Sequence, residues 1–133
     1  MSEFFAWDAA KYALSIPKID DEHRQIVDAM NVLHGLNESK ASRMRLADAL
    51  SRLKKVTVAH FKDEEAYMEK IRFPGLRTHH LVHNQLISRL EEFEKGFQVT
   101  GQFNQDFFMF LRMWLKSHIC GIDTKYAQHA RAA

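Results

Sequence analysis

The fold is decided by two short stretches, His60-Phe-Lys-Asp-Glu64 and His79-His-Leu-Val-His83. In each of them two potential metal ligands stand four residues apart, which places both on one face of a helix about one turn from each other. Two further candidates, His118 and Asp123, stand five residues apart, and His23 completes the set. Five imidazoles and two carboxylates are too many for one ion, and they suit a pair of transition-metal ions.

Apolar residues around these ligands follow a helical repeat over four stretches. They recur at alternating steps of three and four, which is typical of the inward face of an antiparallel helical bundle. The predicted helices cover about 21–37, 42–71, 76–97 and 104–128, and Asp20 is the expected N-cap of the first. Short loops between them favour up-down-up-down order. The sequence therefore predicts an all-α, up-down-up-down antiparallel four-helix bundle with an N-terminal arm.

Length and composition are those of one small domain. We expect the 133 residues to form a single domain, with the arm over about 1–20 and the bundle over about 21–128. No apolar run is long enough to cross a membrane, and the first residues do not resemble a signal peptide. The formal charge of +2 is small and its lysines and arginines are scattered, which does not favour nucleic-acid binding. The single cysteine cannot form an internal disulfide, so we expect a cytoplasmic protein.

The candidate ligands are expected at one end of the bundle. His23 falls in the first turn of the first helix, and His79 and His83 begin the third. Glu64 and Asp123 fall near the ends of the second and fourth. With a rise of about 1.5 Å per residue, all seven then lie within roughly 15 Å of the same end. Polar residues on an apolar face are costly unless they are paired or metal-bound, so this coincidence favours a shared metal centre. The remaining histidines are expected to be structural or exposed: His34, His80 and His129.

The step from His118 to Asp123 does not fit a regular helix, because a spacing of five turns the second side chain away from the first. Ile122 holds the inward position instead. We predict a local widening of the helix, a π-bulge, or a carboxylate that reaches in from the flank. Asp63 and Glu65 flank the candidate ligand Glu64, lie off the inward face and are expected to be solvated.

The ligand order H…HxxxE…HxxxH…HxxxxD on four helices resembles that of the hemerythrins, in particular the single-domain bacterial ones. The likeness covers nearly the whole chain and includes Trp7-Asp8, Ile16-Pro17 and Trp114-Leu-Lys-Ser-His118. Ser15 and Glu22 stand where glycine and glutamine are common in that family. The resemblance implies a non-haem di-iron centre that binds O2 reversibly. It implies one iron on His79, His83 and His118, another on His23 and His60, and bridges from Glu64, Asp123 and a solvent-derived oxygen.

A count of coordination positions explains how such a centre could bind O2. Two six-coordinate ions offer about twelve positions, and the implied ligands and bridges fill all but one. The open position, on the iron with two histidines, is where a small molecule would bind. We expect apolar surroundings for bound O2, formed by Phe61, Trp114, Leu115 and Ile119. None of these side chains is a base for catalysis.

An O2 carrier or store is therefore expected rather than an enzyme. The chain lacks the Glu-x-x-His motif of the ferritin-like di-iron enzymes. Three alternatives stay open: a sensor of O2, NO or redox state, a peroxidase-like or NO-handling enzyme, and a structural zinc protein. Besides O2 itself, this interpretation suggests one further partner, a recipient protein that consumes O2.

Overall fold

The computed structural model describes residues 5–7, 12–14, 16–118 and 123–132. The helices given for these residues are α1 (Pro17–Glu38), α2 (Arg43–Lys70), α3 (Leu76–Thr100), α4 (Gln105–Ser117) and α5 (Thr124–Ala132). No strand occurs among the described residues. In the described parts of the chain, no helix is both long and apolar enough to cross a bilayer. α2 packs along both α1 and α3. The predicted all-α bundle is confirmed, with α4 and α5 in the place of the fourth predicted helix.

The first helix begins earlier than predicted, at Pro17. Proline is favoured at the first helical position because its fixed φ suits the helix and its missing N–H has no partner there anyway. Asp20, the predicted N-cap, therefore lies within the first turn. Its carboxylate accepts a hydrogen bond from the backbone N–H of Leu14 at 2.7 Å. The N-cap prediction was wrong, and Asp20 instead ties the preceding segment to α1.

The next boundaries follow local chemistry. The side chain of Ser42 caps α2 by accepting from the N–H of Arg45, and Asn104 caps α4 by accepting from the N–H of Phe107. α3 runs three residues beyond its predicted end and stops at Gly101, whose φ of 73° is left-handed. Glycine adopts that conformation without a steric penalty, which makes it the common helix terminator.

Buried side chains change character along each helix, and the direction of change alternates. Along α2 they pass from Leu46 and Leu50 to His60 and Glu64. α3 has the reverse order, since buried histidines come first and Leu90 and Phe97 follow. In α4 the buried residues are apolar up to Leu115, and buried His118 comes next. Because neighbouring helices are antiparallel, these orders give the bundle one apolar end and one end that gathers polar side chains.

Candidate metal centre

The polar end of the bundle brings together every predicted metal ligand. Each of these side chains is buried, and none is more than 3% exposed. Their ligand atoms form two groups, within each of which all atoms lie within 4.8 Å of one another. The first group is Glu64, His79, His83 and His118, and the second is His23, His60, Glu64 and Asp123. The five histidines divide between the groups as the family resemblance implied, and Glu64 belongs to both groups.

Glu64 lies between the two groups with one oxygen toward each. Its Oε1 is 2.8 Å from His83 Nε2 and 3.1 Å from His79 Nε2. Its Oε2 is 2.9 Å from His60 Nε2 and 3.6 Å from His23 Nε2. A carboxylate in this position can give one oxygen to each of two adjacent ions.

Asp123 also spans the groups, because its Oδ1 lies 3.0 Å from both His79 Nε2 and His118 Nε2. Its Oδ2 lies 3.1 Å from His23 Nε2. His118 and Asp123 are both π-helical, which agrees with the widening predicted for their spacing of five. The residues 119–122 between them lie outside the described part of the chain.

Several buried polar atoms of the cluster lack a hydrogen-bond partner, and bound metal ions would supply the missing contacts. His23 Nε2, His60 Nε2 and both carboxylate oxygens of Asp123 are buried without a hydrogen-bond partner among the described residues. Although His23 and Asp123 are close, their contact lacks the angles of a hydrogen bond. Nitrogens also crowd together, with His83 Nε2 only 3.2 Å from His118 Nε2. Since an unsatisfied buried polar group costs about 1–3 kcal/mol, a pair of bound cations would remove several such penalties at once.

Without metal ions, protonated histidines balance the negative charges of Glu64 and Asp123. Burial opposes a charged His60, but the carboxylates of Glu64 and Glu22 raise the pKa of His60 to about 10. Burial likewise opposes a charged His118, and Asp123 with Glu64 raises its pKa to about 9. Burial would raise the pKa of both carboxyls, yet the neighbouring imidazolium groups hold the pKa of Glu64 and of Asp123 below the ordinary value.

These pKa values predict that metal uptake releases protons and tightens as the pH rises. Metal binding requires neutral imidazoles, whereas His60 stays protonated up to a pKa of about 10 and His118 up to about 9. For each proton displaced, the affinity for Zn²⁺ as a redox-inactive probe should rise up to about tenfold per pH unit between roughly pH 6 and 9. Titration calorimetry in two buffers of different ionisation enthalpy counts the protons. A pH-independent affinity would contradict the prediction.

The raised histidine pKa values also predict how the stability of the metal-free protein changes with pH. A histidine whose pKa is higher in the folded protein than in the unfolded chain stabilises the fold. This contribution is complete below the unfolded-state pKa of about 6.5. That contribution is lost as the pH rises through the folded-state pKa of His60, about 10. The free energy of unfolding of the metal-free protein should therefore fall across this interval.

Two carboxylates support the cluster from outside. His60 Nδ1 donates to Glu22 Oε1 at 2.8 Å, and His83 Nδ1 donates to Glu65 Oε2 at 3.0 Å. Glu65 also pairs with His80 Nδ1. A carboxylate on Nδ1 fixes the tautomer that leaves Nε2 free for a metal, and it strengthens the imidazole as a ligand. The expectation that Glu65 is solvated was therefore wrong.

Glu65→Ala should weaken metal binding, since it removes the acceptor that orients His83. Substitutions of such outer partners typically cost 10–100-fold in metal affinity, and we expect about tenfold here because the other ligands remain. Glu65→Gln should recover part of the loss, because its amide oxygen can accept the same N–H. Glu69→Ala is the matched control, being an exposed glutamate one turn further along α2. Competition with a chromophoric chelator measures the affinity, and equal values for the Glu65→Ala and Glu69→Ala variants would refute the role of Glu65.

Tyr126 reaches the cluster from α5. It is fully buried, and its hydroxyl donates to Glu64 Oε2 at 3.0 Å. Burial and the nearby carboxylates raise the pKa of its phenol far above the ordinary value, so it stays a protonated donor. Its sequence position gave no sign of this contact, because it lies 62 residues from Glu64.

Two of the apolar residues predicted around bound O2, Phe61 and Trp114, lie beside the histidines. Phe61 stacks on His83, with ring centroids 3.8 Å apart and planes 5° from parallel. Trp114 meets Phe61 edge-on at 6.0 Å and lies 6.4 Å from His118. Leu115 is 1% exposed. The fourth predicted residue, Ile119, lies outside the described residues.

Together, the fold and the site define an all-α bundle protein with a buried cluster suited to two metal ions. Residues 14–130 match the family model of the hemerythrin HHE cation-binding domain. The chain belongs to the hemerythrin family, as its ligand order suggested.

Two relatives illustrate the match over most of the chain. It is 31% identical over 121 residues to a bacteriohemerythrin of Methylococcus capsulatus, covering 90% of this chain and 92% of that one. It is 30% identical over 122 residues to a myohemerythrin of Riftia pachyptila, covering 92% and 90%. A crystal structure of a wild-type hemerythrin superposes with a TM-score of 0.86 at 30% identity, covering 95% of this chain and 97% of that one.

Proposed function

We propose that this protein binds O2 reversibly, as a carrier or store, at a di-iron centre in the polar end of its bundle. His79, His83 and His118 would hold one iron, and His23 and His60 the other. Glu64 and Asp123 would join the two. When bound, the iron pair supplies the redox chemistry that captures O2. The observation that carries the proposal is the pair of buried ligand groups that share Glu64.

The residues of the chain hold this ligand set in place. Tyr126 donates to one oxygen of Glu64 and so fixes the carboxylate plane between the groups. Glu22 and Glu65 accept the outer protons of His60 and His83, which keeps the inner nitrogens available. Such outer contacts hold a ligand set ready before the metal arrives.

The surroundings support binding over turnover. Phe61 and Leu115 are apolar, and the indole of Trp114 can only donate. None of these three can act as a general base. All three are buried, and Phe61 and Trp114 lie beside His83 and His118, so they would exclude bulk water while admitting a small neutral molecule. We therefore propose a carrier rather than an enzyme, located in the cytoplasm and delivering O2 to a recipient protein that consumes it.

One experiment separates this function from the alternatives. Protein purified without O2 is analysed for metals, and its absorption and resonance Raman spectra are recorded on exposure to O2 and again after O2 is removed. We expect about two irons per chain and a spectrum that appears with O2 and disappears without it. A single zinc and no O2-dependent spectrum would refute the proposal. Catalytic consumption of peroxide or NO would favour an enzyme, and immediate oxidation by O2 with no oxygenated spectrum would favour a redox sensor.

A further inference from the structure

α4 carries a second row of side chains on the face that turns away from the bundle core. Asp106, Met109, Met113 and Lys116 follow one another at steps of three, four and three along this helix, which places them on one face. Met109 and Met113 are 57% and 64% exposed, and Asp106 and Lys116 are exposed at the two ends of the row. Helices pack along one another through this same alternation of three and four, so the outward row can receive another helix.

The described part of the chain leaves this row uncovered. Neither Asp106 nor Lys116 forms an ion pair with another described residue. An apolar groove of about 520 Å³ runs beside the two methionines, and Val82, Leu86 and Phe110 belong to its lining. Since thioether side chains adapt to varied apolar shapes, methionines of a second helix can pack against this groove as well as against the row itself.

The order of residues in the row is self-complementary. Met109 and Met113 lie two residues on either side of Leu111, and Asp106 and Lys116 lie five residues on either side of it. A two-fold axis at the level of Leu111 therefore sets Met109 of one copy beside Met113 of a second, antiparallel copy, and Asp106 beside Lys116. Each apolar residue then meets an apolar one and each charge meets its opposite, twice over, as a two-fold interface requires.

We propose that two copies of this chain pair through α4, antiparallel, about that axis. The methionines form the centre of the interface and the two contacts between Asp106 and Lys116 form its rim, an arrangement typical of protein interfaces. α4 has 13 residues and is therefore about 20 Å long. An interface of this size is small, so the association is reversible, with a dissociation constant on the order of tens of micromolar. The surface is separate from the metal centre and does not depend on O2 binding.

Sedimentation equilibrium of the iron-loaded protein measures the association, in low salt where screening is weak. We expect a monomer–dimer equilibrium over concentrations from roughly 1 µM to 1 mM. Met113→Lys places a charge at the centre of the interface and should weaken the dimer about tenfold or more. Met44→Lys is its control, since Met44 is 74% exposed and belongs to α2.

Exchange of the rim charges tests the two-fold pairing. Asp106→Lys and Lys116→Asp each turn both rim contacts into like-charged ones, so either variant alone should dimerise about fivefold to thirtyfold more weakly. An equimolar mixture of the two variants restores opposite charges at both contacts and should recover the affinity of the parent. Asp28→Lys and Lys95→Asp make the same changes in net charge at exposed positions of α1 and α3, and each should dimerise like the parent.

Circular dichroism and iron content show for every variant whether the bundle is intact, so a weaker dimer reports on the interface and not on folding. The proposal is overturned by any of three results. The chain stays monomeric over the whole concentration range, Met113→Lys dimerises like Met44→Lys, or the mixture of the two rim variants associates as weakly as each variant alone.

Discussion

His118→Ala should lose most of the metal, whereas His80→Ala should keep it. His118 is 3% exposed, and its Nε2 lies within 3.5 Å of Glu64, Asp123 and two further histidines. The side chain of His80 is 51% exposed and touches the cluster only indirectly, through Glu65. Removing a direct ligand leaves one ion with two imidazoles, so we expect bound iron to fall to about half or less.

Loss of metal should also lower the stability of the fold. A ligand present at about a hundred times its dissociation constant stabilises the native state by about 2.7 kcal/mol. The loss of that term lowers the melting temperature of a domain of this size by roughly 10 °C. Metal quantitation and thermal unfolding of the two variants, with and without a chelator, measure both effects. If His80→Ala lost iron while His118→Ala retained it, the assignment of the ligands would be wrong.

The sequence was sufficient for features that depend on spacing within one helix. His60 with Glu64, and His79 with His83, lie one turn apart on their helices, and a step of four requires this wherever a helix forms. The step of five at His118 indicated π-helical geometry for the same reason. The N-cap of α2 at Ser42 is a local feature of the same kind, because an N-cap is recognised from the residue types beside it.

Beyond the shared level of the seven ligands, contacts between particular side chains of different helices could not be predicted, because they depend on how each helix is rotated against its neighbours. Glu65 was expected in solvent, since it lies off the inward face of α2, yet α3 brings His83 and His80 against it. The hydrogen bonds from His60 to Glu22 and from Tyr126 to Glu64 arise in the same way. The predicted start of α1 was wrong for a different reason. Both Pro17 and Asp20 are residues that favour a helix start, and the helix begins at Pro17.

The oxygenated protein should decay faster in the Leu115→Ala variant than in the parent. Leu115 lies three residues before His118 on α4 and is 1% exposed. Truncating such a side chain removes several buried carbons and costs on the order of 2–5 kcal/mol if the cavity stays empty. A cavity beside the centre would let water and small anions approach more readily. Water there would supply protons that let O2 depart as hydrogen peroxide with two electrons from the iron pair, so the iron would be left oxidised and would no longer bind O2.

Leu111→Ala is the matched control for this effect. Leu111 lies on the same helix, is fully buried and stands one turn further from His118, so its truncation should cost similar stability. We expect both variants to keep their iron and to melt at lower temperature, and Leu115→Ala alone to lose its oxygenated absorption band severalfold faster in stopped-flow traces. Equal decay rates in the parent and both variants would make Leu115 an ordinary packing residue. Faster decay in both would trace the loss to general loosening of the bundle, because only a local effect distinguishes two leucines of equal burial on one helix.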